Sequence, residues 1–175
     1  LDMLAPKNER GVQHRVRLLG GSISTKWRQL PLLPVEIRSA MKATHARDIS
    51  AVDSESAAFR GILAGVGALG STLADIWIRM GWGTWTFIDP DRLLPHNLSR
   101  HIGFDCHIGV SKPHIIQHIA KSIYPHEPLP QAIHKSILDD DDDIAKAMNE
   151  ADLVVDVSTT FEVPRTLALK DDIPR

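Results

Sequence analysis

Five polar residues carry the densest chemistry in this chain: Asp89, Asp91, Asn97, Arg100 and, slightly further on, Lys112. An arginine and a lysine facing a polyphosphate stabilise the charge that spreads when a phosphoryl or nucleotidyl group is transferred, and a carboxamide can orient a phosphate or ribose oxygen. Carboxylates at strand ends, here Asp89, Asp91 and Asp156, can hold Mg2+ through one or two oxygens. All of this presupposes an anchored nucleotide.

The anchor lies upstream, in Gly65-Val66-Gly67-Ala68-Leu69-Gly70. An apolar run precedes these residues and a helical pattern follows, so the helix's free N–H groups and dipole are available to phosphate. Gly65 permits a tight turn, Gly67 lets a ligand approach the backbone, and Gly70 lets helix and strand pack closely. Asp89 closes the next apolar run, where it can accept hydrogen bonds from ribose hydroxyls. A plain dinucleotide domain shares the turn and the acid but gives Asn97, Arg100 and Lys112 nothing to do, so nucleotidyl transfer is the better fit. An NAD(P)-dependent oxidoreductase and a nucleotide-binding scaffold without catalysis are the alternatives.

The elements that must position these residues follow from periodicity. Phe59 to Ala64 suits a buried parallel strand, Ser71 to Met80 a helix with Leu73, Ile76, Trp77 and Met80 on one face, and Thr84 to Ile88 a second strand. A long polar loop covers 90 to 110. Ser111 reads as a helix N-cap ahead of Lys112, Pro113 and the stripe Ile115, Ile116, Ile119 and Ile123. Gln131 to Ile137 and Ala151 to Val157 read as further strands, with a helix from Asp142 to Glu150 between them. The expected fold class is α/β, a Rossmann-like, mostly parallel sheet with helices on both faces. Residues 58–175 make the nucleotide-binding domain. Residues 1–57 make an irregular or helical lead-in, with a helix over Pro34 to Ala43 and a polar linker from Asp48 to Ser56.

Composition removes several function classes. The net charge of −2, with both signs mixed, gives no basic stripe for nucleic acid and no basic amphipathic helix for a membrane surface. No apolar run approaches the roughly 20 residues that span a bilayer. The single cysteine, Cys106, allows neither an internal disulfide nor a cysteine-rich zinc site and makes the cytoplasm the expected compartment.

In order along the chain, GVGALGS from Gly65, GWGTWTFIDPD from Gly81, NLSRH from Asn97, IGVSKP from Ile108 and ADLVVD from Ala151 resemble the ThiF/MoeB superfamily of ATP-dependent adenylyltransferases, which includes the ubiquitin-activating enzymes. The resemblance spans Phe59 to Arg165. It implies binding of ATP and Mg2+ and adenylation of the C-terminal glycine carboxylate of a ubiquitin-like or sulfur-carrier protein, with release of pyrophosphate. It also implies roles for single residues: the nucleotide on the glycine turn, the ribose on Asp89, the phosphates on Asn97, Arg100 and Lys112, and transition-state charge on Arg100 and Lys112. Homodimers with an arginine donated across subunits are implied too, and Arg10, Arg15 and Arg17 are the candidates in the lead-in. Departures are visible: Thr159 stands where the family has a second, metal-binding acid, leaving Asp156 as the metal candidate, and His101 stands where glutamine is frequent. Ending at Arg175, the chain is expected to hold only the ATP-binding half of the family fold.

The other tempting features read as structural. Cys106 does not match the family's catalytic cysteine and is read as a loop or packing residue. His114 and His118 are four residues apart on a helix without a third ligand. The run Asp139 to Asp143 suits a solvated helix N-terminus, and Trp77, Trp82 and Trp85 suit the core.

Overall fold

The computed structural model describes residues 2–4, 15–17, 25–31, 34–36 and 40–169. The chain divides into two compact units, 1–38 and 39–175. In the first, β1 (Asp2–Leu4) pairs antiparallel with β2 (Arg15–Arg17), and Thr25–Gln29 forms a 3-10 turn. Strands this short are invisible to a search for period, which is why the sequence suggested only an irregular or helical lead-in there. Arg10 lies outside the described residues, and Arg15 and Arg17 are the two ends of β2.

The lead-in helix falls later than the sequence suggested. Residues 34–36 and 40–42 are not helical, and α1 runs instead over Ala43–Ser50, ending on Ala51 with φ 53°. Packing decides this position. Ala46 is buried, and a side chain at Gly81 would meet the Ala43 carbonyl at 2.5 Å, so α1 forms where small residues let it close on the C-terminal end of the next helix. The expected polar linker therefore begins inside α1 and becomes a turn only at Asp53, whose carboxylate accepts the Ser56 N–H.

The second unit is built on a parallel sheet of β3 (Arg60–Ala64), β4 (Thr84–Ile88), β5 (Gln131–Ile133) and β6 (Leu153–Asp156), in the spatial order β5-β4-β3-β6. Alternation along the strands sends side chains to two cores. Ile62, Ala64, Ile88 and Ile133 meet Ile144 and Ala147 of α4 (Asp142–Glu150) and Val163 of α5 (Glu162–Leu169). Leu63, Trp85 and Phe87 meet Ala74 of α2 (Ala68–Met80) and Ile116 of α3 (Lys112–Ile123). Helices thus cover both faces, as the α/β reading requires. Relative to expectation α2 starts three residues earlier, at Ala68, and β5 stops at Ile133, which is paired with the last residue of β4.

The second core is aromatic. Trp77 stacks on Trp85 at 4.3 Å, Phe59 meets Trp85 edge-on at 5.4 Å, and the Trp85 indole N–H donates to the Trp82 carbonyl at 2.7 Å. Gly61 lies flat beneath Trp85, where a Cβ would come within 2.5 Å of the ring. At the far end of α3, the buried Tyr124 donates its hydroxyl to the Arg79 carbonyl at 2.7 Å and so ties the ends of α3 and α2 together. Tyr124→Phe keeps the packing and orphans that carbonyl, and urea unfolding should show a loss of about 1 kcal/mol with an unchanged slope. Among the described residues no helix is long and apolar enough to cross a membrane.

Candidate functional site

The sheet turns over at β3. The chain runs outward from β3 through β4 to β5, then returns to the other side of β3 for β6, and open α/β sheets place their ligand crevice at the carboxyl ends of strands at such a reversal. A cleft of about 790 Å³ opens there.

Its floor is the glycine turn. Gly65 has φ 91°, and a Cβ on it would lie 2.8 Å from the Ser158 N; a Cβ on Gly70 would lie 2.0 Å from the Gly65 carbonyl oxygen. Both glycines are held tight by backbone. Gly67 is different: nothing lies within 4 Å of where its Cβ would be, and as the N-cap of the 13-residue α2 it supplies no side-chain cap. The first N–H groups of α2 are left to an anion in the cleft.

Asp89 directly follows β4 and is nearly fully buried. Its two oxygens accept backbone N–H groups, from Val66 at 2.6 Å and from Asp91 at 2.8 Å, so the carboxylate ties the glycine turn to the loop after β4. Burial pushes its pKa up, opposed by those two hydrogen bonds and by the charge of Lys112. The buried Lys112 ammonium lies 3.9 Å from Asp89 and 2.6 Å from the exposed carboxylate of Asp91. Asp89 is thus first a structural tie, and a ribose hydroxyl would have to use its remaining lone pairs.

The loop from Pro90 to Ser111 is folded on itself. Arg92 bridges Ser111, the Leu93 N–H donates to the Val110 carbonyl at 2.9 Å, and Leu93 is fully buried. Asn97 accepts the Leu94 N–H on Oδ1 at 2.9 Å, so half of its carboxamide shapes the loop. Arg100 is exposed and makes no ion pair with a described residue. His101, beside it, is buried; its Nε2 lies 3.1 Å from the Val66 carbonyl, and its Nδ1 accepts the Gly103 N–H at 2.9 Å. That pair of partners selects the neutral tautomer with the proton on Nε2. Burial lowers the His101 pKa, the Val66 bond opposes this, and the charges of Lys112 and His107 add to the lowering.

Eight sequence candidates, Gly65, Gly67, Ala68, Asp89, Asp91, Asn97, Arg100 and Lys112, meet in this one cleft. The others stand apart. Leu69 is exposed, Gly70 is buried in the helix–strand contact, and Asp156 accepts the Ser158 N–H at 2.9 Å outside the cleft lining. Sequence reasoning missed His134 and Ser158, which line the cleft and whose Nε2 and Oγ are buried without a hydrogen-bond partner. Each lies just past the end of a parallel strand, and that position was the available signal. Cys106, His107 and His118 line a separate groove by α2 and α3; His114 sits 2.5 Å from the Ser111 hydroxyl; none of the three tryptophans reaches the cleft. The aspartate run caps α4, with Asp141 accepting the Asp143 N–H.

Comparison with known proteins gives the same outline. The sequence model described as the ThiF family matches residues 49–168. No curated protein matches. Among solved structures, E. coli tRNA N6-threonylcarbamoyladenosine dehydratase, TcdA, in complex with ATP superposes with a TM-score of 0.57 at 21% identity, over 80% of this chain and 53% of that one. E. coli MccB with ATP gives 0.53 at 20% identity over 70% and 35%. PaaA gives 0.55 at 13% over 75% and 46%. At these identities the likeness is one of fold, and the chain spans about half the length of the TcdA structures it matches.

Proposed function

This chain belongs to the ThiF family, and from that premise we propose that its cleft binds ATP and supports adenylation of the C-terminal carboxylate of a ubiquitin-like or sulfur-carrier protein. One observation carries the proposal: Arg100 and Lys112 converge with the uncapped start of α2 on a single cleft. In the step proposed, a carboxylate oxygen of the partner forms a bond to the α-phosphorus of ATP, the bond from that phosphorus to the bridging oxygen breaks, and pyrophosphate departs with the electron pair. The partner supplies the nucleophile, so the chain needs none. Its residues hold the phosphates on the α2 N-terminus and oppose the growing negative charge with the two cations.

The carboxylates fit a cation that arrives on the nucleotide. Among the described residues no three His, Cys, Asp or Glu side chains converge as a cage, Asp89 is tied to backbone N–H groups, and Thr159 lines the cleft where the family resemblance places an acid. Mg2+ characteristically binds through phosphates and one or two carboxylates. Asp91 is the cleft carboxylate open to solvent, while Asp156 lies outside the cleft lining and holds the Ser158 N–H on Oδ1, leaving Oδ2 for a cation. No step is routed through the ion.

Structures of two of the similar proteins support the reading. TcdA was crystallised with ATP and with AMP, and MccB with AMPCPP and MccA. We extend it to the organisation of the chain: residues 58–175 are the nucleotide-binding domain. Calorimetric titration tests the nucleotide, with ATP expected to bind at least about tenfold more tightly than NAD, a gap of about 1.4 kcal/mol. Isotope exchange between pyrophosphate and ATP, run with candidate partners ending in glycine, tests the reaction. Tighter binding of NAD sinks the proposal, and ATP binding with no exchange for any partner leaves a nucleotide-binding scaffold.

A further inference from the structure

We propose that His101 is a pH-dependent clip that holds the glycine turn against the loop carrying Asn97 and Arg100, and that protonation of its ring opens the loop end of this clip. The proposal rests on the nucleotide reading only for its effect on ATP; the clip itself is a property of the chain.

The geometry is that of a two-ended tie. Across 35 residues of sequence the ring reaches the Val66 carbonyl with Nε2, and two residues on it receives the Gly103 N–H with Nδ1. Val66 is the middle of the glycine turn, and its own N–H is held by Asp89. The turn is therefore gripped on one side by an aspartate and on the other by a histidine. Gly103 leaves no slack at the other end: a Cβ there would lie 2.9 Å from the Leu93 side chain and 3.0 Å from the His101 Nδ1. Because Leu93 is the buried residue on which the loop is folded, displacing Gly103 disturbs the segment that presents Arg100.

Only the neutral ring can do this. A proton on Nδ1 turns the acceptor into a donor facing the Gly103 N–H, and one buried hydrogen bond becomes a repulsive contact. The charged and titratable groups that act on the ring are Lys112 from the start of α3 and His107 from the loop; Asp89, just after β4, holds the N–H of the Val66 whose carbonyl the ring meets. Lys112 and His107 both disfavour a second positive charge. A glutamine would offer a donor and an acceptor but no titration, so His101→Gln separates tying from switching.

The test is proton–nitrogen NMR of the full chain between pH 5 and 8, beside ATP titrations of wild type and His101→Gln. We expect the His101 ring as the Nε2–H tautomer at high pH. The amides of Gly65, Val66, Gly67 and Gly103 should move with the same midpoint as the ring nitrogens, and this common titration should vanish in His101→Gln. Below that midpoint the wild-type Kd for ATP should rise by up to about tenfold per pH unit relative to the variant, the limit for one linked proton. Comparing the two proteins cancels the titration of ATP itself. An Nδ1–H tautomer, or glycine-turn amides that titrate alike in both proteins, overturns the clip. A common titration with no ATP binding at any pH overturns the nucleotide reading and leaves the clip standing.

Discussion

Gly70→Ala is expected to cost this domain about 3 kcal/mol or more, lowering its thermal midpoint by roughly 10 °C, while Gly67→Ala leaves the midpoint nearly where it was and weakens ATP binding at least about tenfold. The two glycines stand three residues apart in one motif, and the difference comes from what surrounds them. A Cβ on Gly70 would lie 2.0 Å from the Gly65 carbonyl oxygen and 3.1 Å from a Val157 methyl. The first of these is backbone, in a turn whose φ of 91° no alanine would share, so the helix must back away from the strand. At Gly67 φ is −81° and no atom lies within 4 Å, so the added methyl meets nothing in the protein. Its effect on the fold is then the small balance between a less flexible unfolded chain and a poorer N-cap, within about 1 kcal/mol. The methyl does, however, project at the N-terminus of α2, where the proposed nucleotide would bring its phosphates against the backbone. Differential scanning calorimetry with and without ATP reads both effects. A Gly70→Ala midpoint within two or three degrees of wild type would show that the helix–strand contact is softer than described, and wild-type ATP affinity in Gly67→Ala would place the phosphates elsewhere.

That contrast also marks how far the sequence could be read. Strands β3 and β4 and the helices between and after them were legible because buried parallel strands write continuous apolar runs, and Ser111 and the glycine turn punctuate them. The cleft was legible for a related reason: a polar residue at the end of such a run can only emerge at the carboxyl edge of the sheet, which is how Asp89 was found. His134 and Ser158 obey the same rule but escape it in the sequence, His134 because the expected strand runs on to Ile137 although β5 stops at Ile133, and Ser158 because Asp156, two residues earlier, takes the strand-end position. Hydrogen bonding was hidden. Nothing in the residue types shows that Asp89 spends both oxygens on Val66 and Asp91, or that Asn97 spends Oδ1 on Leu94, because these are choices of loop geometry. Helix α1 was misplaced for a third reason, since its position depends on contact with the end of α2 and its own eight residues bury only Ala46.

In the proposed reaction Lys112 and Arg100 share one role, but they part company in stability. Substituting either should reduce pyrophosphate exchange by about 10²–10³, the usual loss when one preorganised donor to transition-state charge is removed. Arg100→Ala should do so with an unchanged unfolding curve, because the side chain is exposed and pairs with no described residue. Lys112→Met should also cost about 3 kcal/mol at neutral pH, because it strips the nearest cation from a buried carboxylate. The pH dependence identifies the cause. Burial raises the folded pKa of Asp89, so the folded chain keeps that proton to higher pH than the unfolded one, and the cost of ionising Asp89 is absent below its ordinary range and sets in as pH rises through the folded value. Lys112 opposes that rise, so without it the folded value climbs further and the cost at neutral pH grows. The deficit of Lys112→Met relative to wild type should therefore be largest near pH 7 and shrink as pH falls through the raised Asp89 pKa. Urea unfolding of both proteins at pH 4.5 and 7.5 measures it. A deficit equal at the two pH values would mean that Lys112 stabilises the fold through the packing of its methylenes and leaves Asp89 to its backbone hydrogen bonds, in which case the electrostatic coupling between the end of β4 and the start of α3 is not what holds the cleft in shape.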